Sequence, residues 1–485
     1  LLFVIAVGLF RYYYIYTGPL RLSPDEAQYW DWSRTLQWSY YSKPPMVAYL
    51  IRLSTEVLGN TELGVRAWPP ILSGLSSIVL YFFTVQAGRR IGLPEEVSSR
   101  GALLAGTLLQ VVPVFATYGV IMTIDAPLIL FWSLGLLVFS LAIERGGLLW
   151  GLLGLVVGLG MLTKFTMVFF VFSAGLFFIM ESSHRAKLKG TGPWVSLLLA
   201  GVLYLPVLYW NHKFGWVYFK HLMGHATGSS GTFFNFKAAV EFIGSQLGVI
   251  TFGVFFCVLL AVVTLRRAVR EQLLYWFSLP VILAFLLRAF HGKVQANWPI
   301  PGYIAGLSAM GLCVSARWGV FSKKMKAFVV SGIGLSVLIT LIAHYPKVVG
   351  LPARLDPSAR LKGWDKLAAR VDSLREGLGP GHFVFSDSYQ VTAELAFYLK
   401  DQPRTYCAGF GRRMNQYDLW EGFYDLKGYD AVFVRQGLPP LPAVLKEAFK
   451  ECKAQTLKIP ERGKTYTIAL CRGFKGMKRP VFKRF

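Results

Sequence analysis

The chain has 485 residues, 54% of them hydrophobic and only 16% charged, with a mean hydropathy of +0.46; soluble globular proteins carry about 25% charged residues, so that class is excluded. A net charge of +25 raises nucleic acid as a partner, but the basic residues gather at the ends of apolar runs and in the C-terminal part, the pattern of membrane orientation and anionic lipid. With 14 Trp and 15% aromatic residues, the composition is that of a polytopic α-helical membrane protein with many interfacial anchors.

Runs long enough to cross a bilayer, about 17–25 residues each, lie near 1–17, 68–88, 99–118, 125–143, 148–163, 165–181, 192–210, 245–264, 272–288, 298–315 and 326–344, which predicts about eleven spans. Leu1 to Phe10 lacks the charged start and small-residue cleavage site of a signal peptide, so it is expected to be a transmembrane helix whose cytoplasmic start lies upstream. With the first span starting inside, the loops holding Arg89-Arg90, Glu144-Arg145, Arg185 to Lys189, Arg266 to Arg270 and Lys323 to Lys326 all fall inside, as the positive-inside rule requires. The same assignment puts 18–67, 211–244, 289–297 and everything after 345 outside. Residues 1–350 are thus expected to form a transmembrane domain with the external loop 18–67.

From 351 the long apolar runs stop, and residues 351–485 read as a soluble extracytoplasmic α/β domain. His382 to Ser386 and Asp430 to Arg435 are predicted strands, and Val391 to Leu399 a helix. With 24 Lys+Arg against 14 Asp+Glu, this part is basic and is expected to stay near an anionic membrane surface. Cys452 and Cys471 flank two strand-like runs, Lys453 to Ile459 and Lys464 to Leu470, joined at Pro460 to Gly463. A hairpin centred on that turn sets the two cysteines directly opposite each other, as a disulfide or as two buried thiols.

The densest chemistry lies in Arg21 to Trp32 and in Tyr40-Tyr-Ser-Lys-Pro-Pro45. Ser23-Pro-Asp-Glu26 has the form of a capping box with Pro at the first helical position. That assignment uses Ser23 and Glu26 and leaves Asp25 to face a cavity. Aromatic residues here are interfacial anchors by default. Interspersed with Asp25, Asp31, Arg34 and Lys43, however, Tyr29, Trp30, Trp32, Trp38, Tyr40 and Tyr41 read as a polar-lipid or sugar site. Lys43 is either a snorkelling lysine or a point charge for a phosphate beside a helix N-terminus, and the sequence leaves both open.

Thr123-Ile-Asp125-Ala-Pro127 opens the fourth span from the outside. Asp125 there is an N-cap by its spacing and a functional candidate by its place at a bilayer boundary. The external loop Arg288 to Pro301 offers Arg288 or Lys293 as a second anion contact and Gln295 and Asn297 as sugar contacts. Lys164 joins two short spans on the same side and is read as a boundary marker. His221 and His225, at i and i+4 near His212, have helical spacing for a metal. No Glu follows His221 and Gly224 weakens the helix, so no metal ligand is assigned; a divalent cation is left open as a cofactor, and no other cofactor is expected.

Asp25-Glu26 in the first external loop, Tyr41-Ser-Lys43-Pro-Pro45 after it, Thr123-Ile-Asp125-Ala-Pro127 and Lys293-Val-Gln-Ala-Asn-Trp298 together resemble the GT-C class of polyprenyl-phosphate-sugar-dependent glycosyltransferases. Within that class the resemblance is to bacterial relatives of protein O-mannosyltransferases and of the lipid A aminoarabinose transferase. Asp387-Ser-Tyr389-Gln and Arg412 to Tyr417 are similar to the outer domain of bacterial members. The resemblance implies a GT-C-like fold and transfer of a sugar from a polyprenyl-phosphate donor to a lipid, such as lipid A, or to a protein. It places the reaction on the periplasmic face of a bacterial inner membrane.

It assigns catalysis to Asp25, with Asp125 as a second acidic contributor and Glu26 as the neighbouring member of the acidic pair, and donor phosphate binding to Lys43; the charge of the leaving phosphate itself calls for a further cation, Lys293 or Arg288. Ser42 stands where aminoarabinose transferases often carry an acidic residue. A lone attacking acceptor implies inversion at the anomeric carbon. The competing expectations are a transporter, whose ionisable residues would lie deep within spans, and a non-enzymatic binder of lipid-linked sugars.

Overall fold

All eleven apolar runs lie on helices in the computed structural model, which describes residues 1–485 apart from 19, 228–233, 269–271, 351, 355 and 483–485, and apart from the side chains of 225–227, 268 and 347. Arg270 and the side chain of His225, both singled out in the sequence, lie outside the described residues. The chain divides into two units, one of residues 1–13, 43–47 and 67–344, the other of residues 14–42, 48–66 and 345–485.

The first unit is helical. Among the described residues Glu62–Arg90, Asp125–Arg145, Gly192–Lys213 and Lys323–His344 are long and apolar enough to cross a membrane. Two bent pairs join them, Phe165–Met180 with Ser182–Lys189 at 107° and Phe236–Val249 with Phe252–Arg267 at 101°. The second pair corrects the sequence reading of 245–264 as one continuous span. The chain breaks at Ile250-Thr251, where Thr251 adopts φ 70°, a conformation a β-branched residue cannot carry within a helix. The helix Phe236–Val249 therefore begins within what read as a loop, at residues 236–244.

Small residues bring these helices into backbone contact, as expected where lipid removes the hydrophobic drive for helix association. A Cβ on Gly311 would lie 2.2 Å from the Gly101 carbonyl oxygen, and one on Gly253 would lie 2.4 Å from Gly332 Cα. Hydroxyl pairs add to these contacts: Thr251 meets Ser336 at 2.6 Å beside the Gly253–Gly332 approach, and Thr84 of the helix Trp68–Arg90 meets Ser308 of the helix Ile300–Arg317 at 2.7 Å. Arg11, buried in the apolar helix Leu2–Tyr16, donates to the Ser73 hydroxyl at 2.8 Å and to the Gln110 side-chain and backbone oxygens at 2.6 and 3.2 Å.

The second unit is built on a five-stranded sheet in the order β2-β1-β3-β5-β4: β1 His382–Ser386, β2 Thr405–Cys407, β3 Asp430–Gln436, β4 Phe449–Ile459 and β5 Lys464–Phe474. β1 pairs in parallel with β2 and β3, and β5 runs antiparallel to β3 and β4. Alternation along the strands sorts two cores. Val384, Val432 and Val434 face Trp364, Val391 and Leu395, while Phe383, Phe385 and Phe433 face Phe423, Leu445 and Phe449. The hairpin has the register its turn predicts, with Cys452 opposite Cys471 and the two joined in a disulfide.

The loop helix Pro24–Ser33 packs on the helix Tyr389–Tyr398 in this unit. Trp30 meets Phe397 edge to face at 4.9 Å, and the Leu22 N–H donates to the Tyr398 hydroxyl at 2.7 Å. Tyr398 in turn donates to Glu62 at 2.6 Å.

The Gly101–Gly311 approach yields a direct expectation. Gly311→Ala forces the helices Glu95–Val111 and Ile300–Arg317 apart at an overpacking cost of about 1–3 kcal/mol, read as a lower melting temperature of the purified protein in detergent. An unchanged melting temperature would contradict the packing described.

Candidate active site

The acidic stretch folds as its spacing requires. Ser23 caps Pro24–Ser33: its hydroxyl accepts from the Glu26 N–H at 3.3 Å, and the Glu26 carboxylate accepts from the Ser23 N–H at 2.9 Å. Both oxygens of Glu26 are also held by Arg66, whose Nε and Nη2 donate at 2.7 and 2.8 Å. Arg66 further donates to the carbonyls of Leu20 and Arg21 at 2.9 and 2.8 Å. Glu26 and Arg66 are 0% and 2% exposed. Glu26 is thus a buried carboxylate facing a guanidinium.

Asp25, one residue earlier on the helix, is exposed, and its Oδ1 accepts from the Tyr389 hydroxyl at 3.4 Å. Asp31 is buried against Arg34 at 3.3 Å; burial pushes its carboxyl up, and Arg34 opposes the shift.

The aromatic residues of this loop are mostly its own core. Tyr40 is fully buried, stacks on Trp32 at 4.5 Å and 11°, and donates to the Trp32 carbonyl at 3.0 Å. It holds the turn rather than lining a surface. The Trp30 indole donates to Asn60 at 2.9 Å. Tyr41 is buried, its N–H donates to Gln416 Oε1 at 2.6 Å, and burial pushes its hydroxyl up to about 12.

The first unit holds the other candidates. Asp125, 2% exposed, is the first residue of the helix Asp125–Arg145, and its own N–H donates to the Thr123 hydroxyl at 3.2 Å. It does not cap the helix, as its spacing suggested. Its Oδ1 pairs with Lys164 Nζ at 2.7 Å and its Oδ2 accepts from Asn297 at 2.9 Å. The structure therefore brings together Asp125, Lys164 and Asn297, three segments far apart in sequence.

Lys164 is the residue the sequence undervalued. Its only signal was a cation between two short apolar runs, where an unpaired charge would be costly. The Met46 N–H donates to the Leu162 carbonyl at 3.0 Å, which pins the Lys43-Pro-Pro45 stretch to the segment that leads to Lys164. Lys43 and Arg288 are partly buried, and Lys293 and Gln295 are exposed. Among the described residues no three His, Cys, Asp or Glu side chains stand close enough to share a metal ion.

Residues 42–210 match the family model described as dolichyl-phosphate-mannose-protein mannosyltransferase. Over that stretch, about a third of its length, the chain is similar to this family of membrane sugar transferases. Over 410 residues it is 29% identical to the lipid A galacturonosyltransferase RgtD of Rhizobium johnstonii, which covers 83% of this chain and 82% of that protein. A shorter stretch of 182 residues is 29% identical to the undecaprenyl phosphate-alpha-4-amino-4-deoxy-L-arabinose arabinosyl transferase 1 of Sodalis glossinidius, covering 33% and 31% of the two chains. The crystal structure of ArnT from Cupriavidus metallidurans bound to undecaprenyl phosphate superposes with a TM-score of 0.63 at 16% identity, covering 96% of this chain and 97% of that one.

The buried pair in the first unit sets a stability test. Asp125→Ala leaves Lys164 without its carboxylate and costs about 3–5 kcal/mol, measured by thermal unfolding. The double variant Asp125→Leu with Lys164→Met recovers most of the loss. An equal loss in single and double variants would show that the ion pair is not what Asp125 supplies.

Proposed function

We propose that this protein transfers a sugar from a polyprenyl-phosphate donor to a lipid A-like acceptor on the outer face of a bacterial inner membrane, with Asp25 as the working carboxylate. The observation that carries the assignment is a division among three acidic residues. Glu26 and Asp125 are buried in ion pairs with Arg66 and Lys164, while Asp25 is exposed. RgtD and the aminoarabinose transferases act in lipid A modification or on undecaprenyl-phosphate sugars by name, which supports this donor and acceptor class. The extent of the match to RgtD and the presence of Ser42 favour galacturonate as the first sugar to try.

The chemistry follows from bond accounting. The C1–O bond to phosphate breaks, its electron pair leaves with polyprenyl phosphate, and a C1–O bond forms to the acceptor. The leaving phosphate needs fixed positive charge, which Lys43 supplies near the head of the helix Met46–Leu58, with Lys293 or Arg288 as the second cation. If the acceptor is a hydroxyl, Asp25 takes its proton as general base. If it is a phosphate, the nucleophile is already anionic, and Asp25 stabilises positive charge developing on the sugar. Attack by the acceptor itself gives one displacement and inversion.

In this reading the chain crosses the membrane about eleven times, several crossings being broken helices, and residues 351–485 form a periplasmic domain. The basic loops from Arg89-Arg90 to Lys323-Lys324 lie on the cytoplasmic side.

Purified protein supplied with lipid A and undecaprenyl-phosphate galacturonate, aminoarabinose or mannose is expected to yield glycosylated lipid A and undecaprenyl phosphate in equal amounts. Galacturonate should be preferred and the anomeric configuration inverted, as read by mass spectrometry and NMR. Donor movement across vesicles without product would favour a transporter, and binding without release would favour a non-enzymatic binder.

A further inference from the structure

Asp25 meets the C-terminal part of the chain at a particular place in the sheet. Tyr389, whose hydroxyl donates to Asp25 Oδ1, is the first residue of the helix that follows β1. The chain leaves β1 through that helix to reach β2 on one side, while β3 lies on the other. Strand order therefore reverses beside β1, and its carboxyl end is the topological switch point, where open α/β sheets place their ligands.

Charged groups converge on the same edge. Asp387, just past β1, lies 3.4 Å from Arg435, the penultimate residue of β3. Arg413, in the segment after β2, acts electrostatically on both Tyr389 and Tyr41. Burial first, and the Asp25 charge second, push the Tyr389 hydroxyl well above its usual range, so it remains a donor throughout the working pH range.

We propose that Tyr389 is a positioning residue for Asp25, its hydroxyl fixing Oδ1 so that Oδ2 is presented to the acceptor. The C-terminal domain thereby completes the catalytic corner. At 3.4 Å the bond is longer than the 2.7–2.8 Å common for O–H···O pairs. The inference rests on the assignment of Asp25 as the working carboxylate.

Tyr389→Phe keeps the ring and removes only the hydroxyl. In the polyprenyl phosphate release assay it is expected to lower kcat roughly 10- to 100-fold, the effect of losing one hydrogen bond to a charged group. The donor KM and the melting temperature should stay at wild-type values, a split that a merely structural role would not produce. Wild-type kcat in Tyr389→Phe, a rise in KM alone, or a loss that tracks a lowered melting temperature would overturn the proposal. Asp25→Asn in the same assay separates the two assignments. An inactive Asp25→Asn beside an unaffected Tyr389→Phe removes only Tyr389 from the mechanism. A fully active Asp25→Asn removes the assignment beneath it.

Discussion

The ion pair between Arg66 and Glu26 is the constraint on which the acidic loop depends. A guanidinium and a carboxylate this deeply buried are stable only when paired and hydrogen-bonded, and here they bond to each other while Arg66 also donates to the carbonyls of Leu20 and Arg21. Because Glu26 also closes the capping box on Ser23, the pair fixes where the helix Pro24–Ser33 begins. Asp25 follows from that start: one position before a buried residue on a helix, it turns to the exposed side. The neighbouring Asp-Glu sequence is thereby split into one carboxylate that is buried in the fold and one that stays exposed.

The same economy appears elsewhere. In the helical unit Asp125 joins Lys164 and Asn297, and Arg11 donates to Ser73 and Gln110. Glu394 marks the contrast: it is buried with neither oxygen hydrogen-bonded, and burial pushes its carboxyl well up.

Much of this was legible in the sequence because it rests on local rules. Apolar run length located the helices, Ser23-Pro-Asp-Glu26 announced its own capping box, and strand alternation with a central turn placed Cys452 against Cys471. Three things were not legible, each for want of a local signal. Arg66 lies 40 residues from Glu26, and nothing nearby in sequence marks it as the partner. Lys164 read as a boundary charge because its carboxylate comes from another helix. The break at Thr251 is set by backbone conformation inside an apolar run whose composition continues without interruption. Tyr40 and Tyr41 misled in the opposite way: their aromatic, loop-borne setting suggested a binding face, and burial made them part of the loop's core.

The division of labour between adjacent carboxylates is tested most directly by measuring polyprenyl phosphate release and thermal stability side by side for Asp25→Asn and Glu26→Gln. Asp25→Asn should lose release while melting as the wild type does, and Glu26→Gln should melt at a distinctly lower temperature because Arg66 keeps its burial and loses its countercharge. Wild-type release from Asp25→Asn would contradict the account.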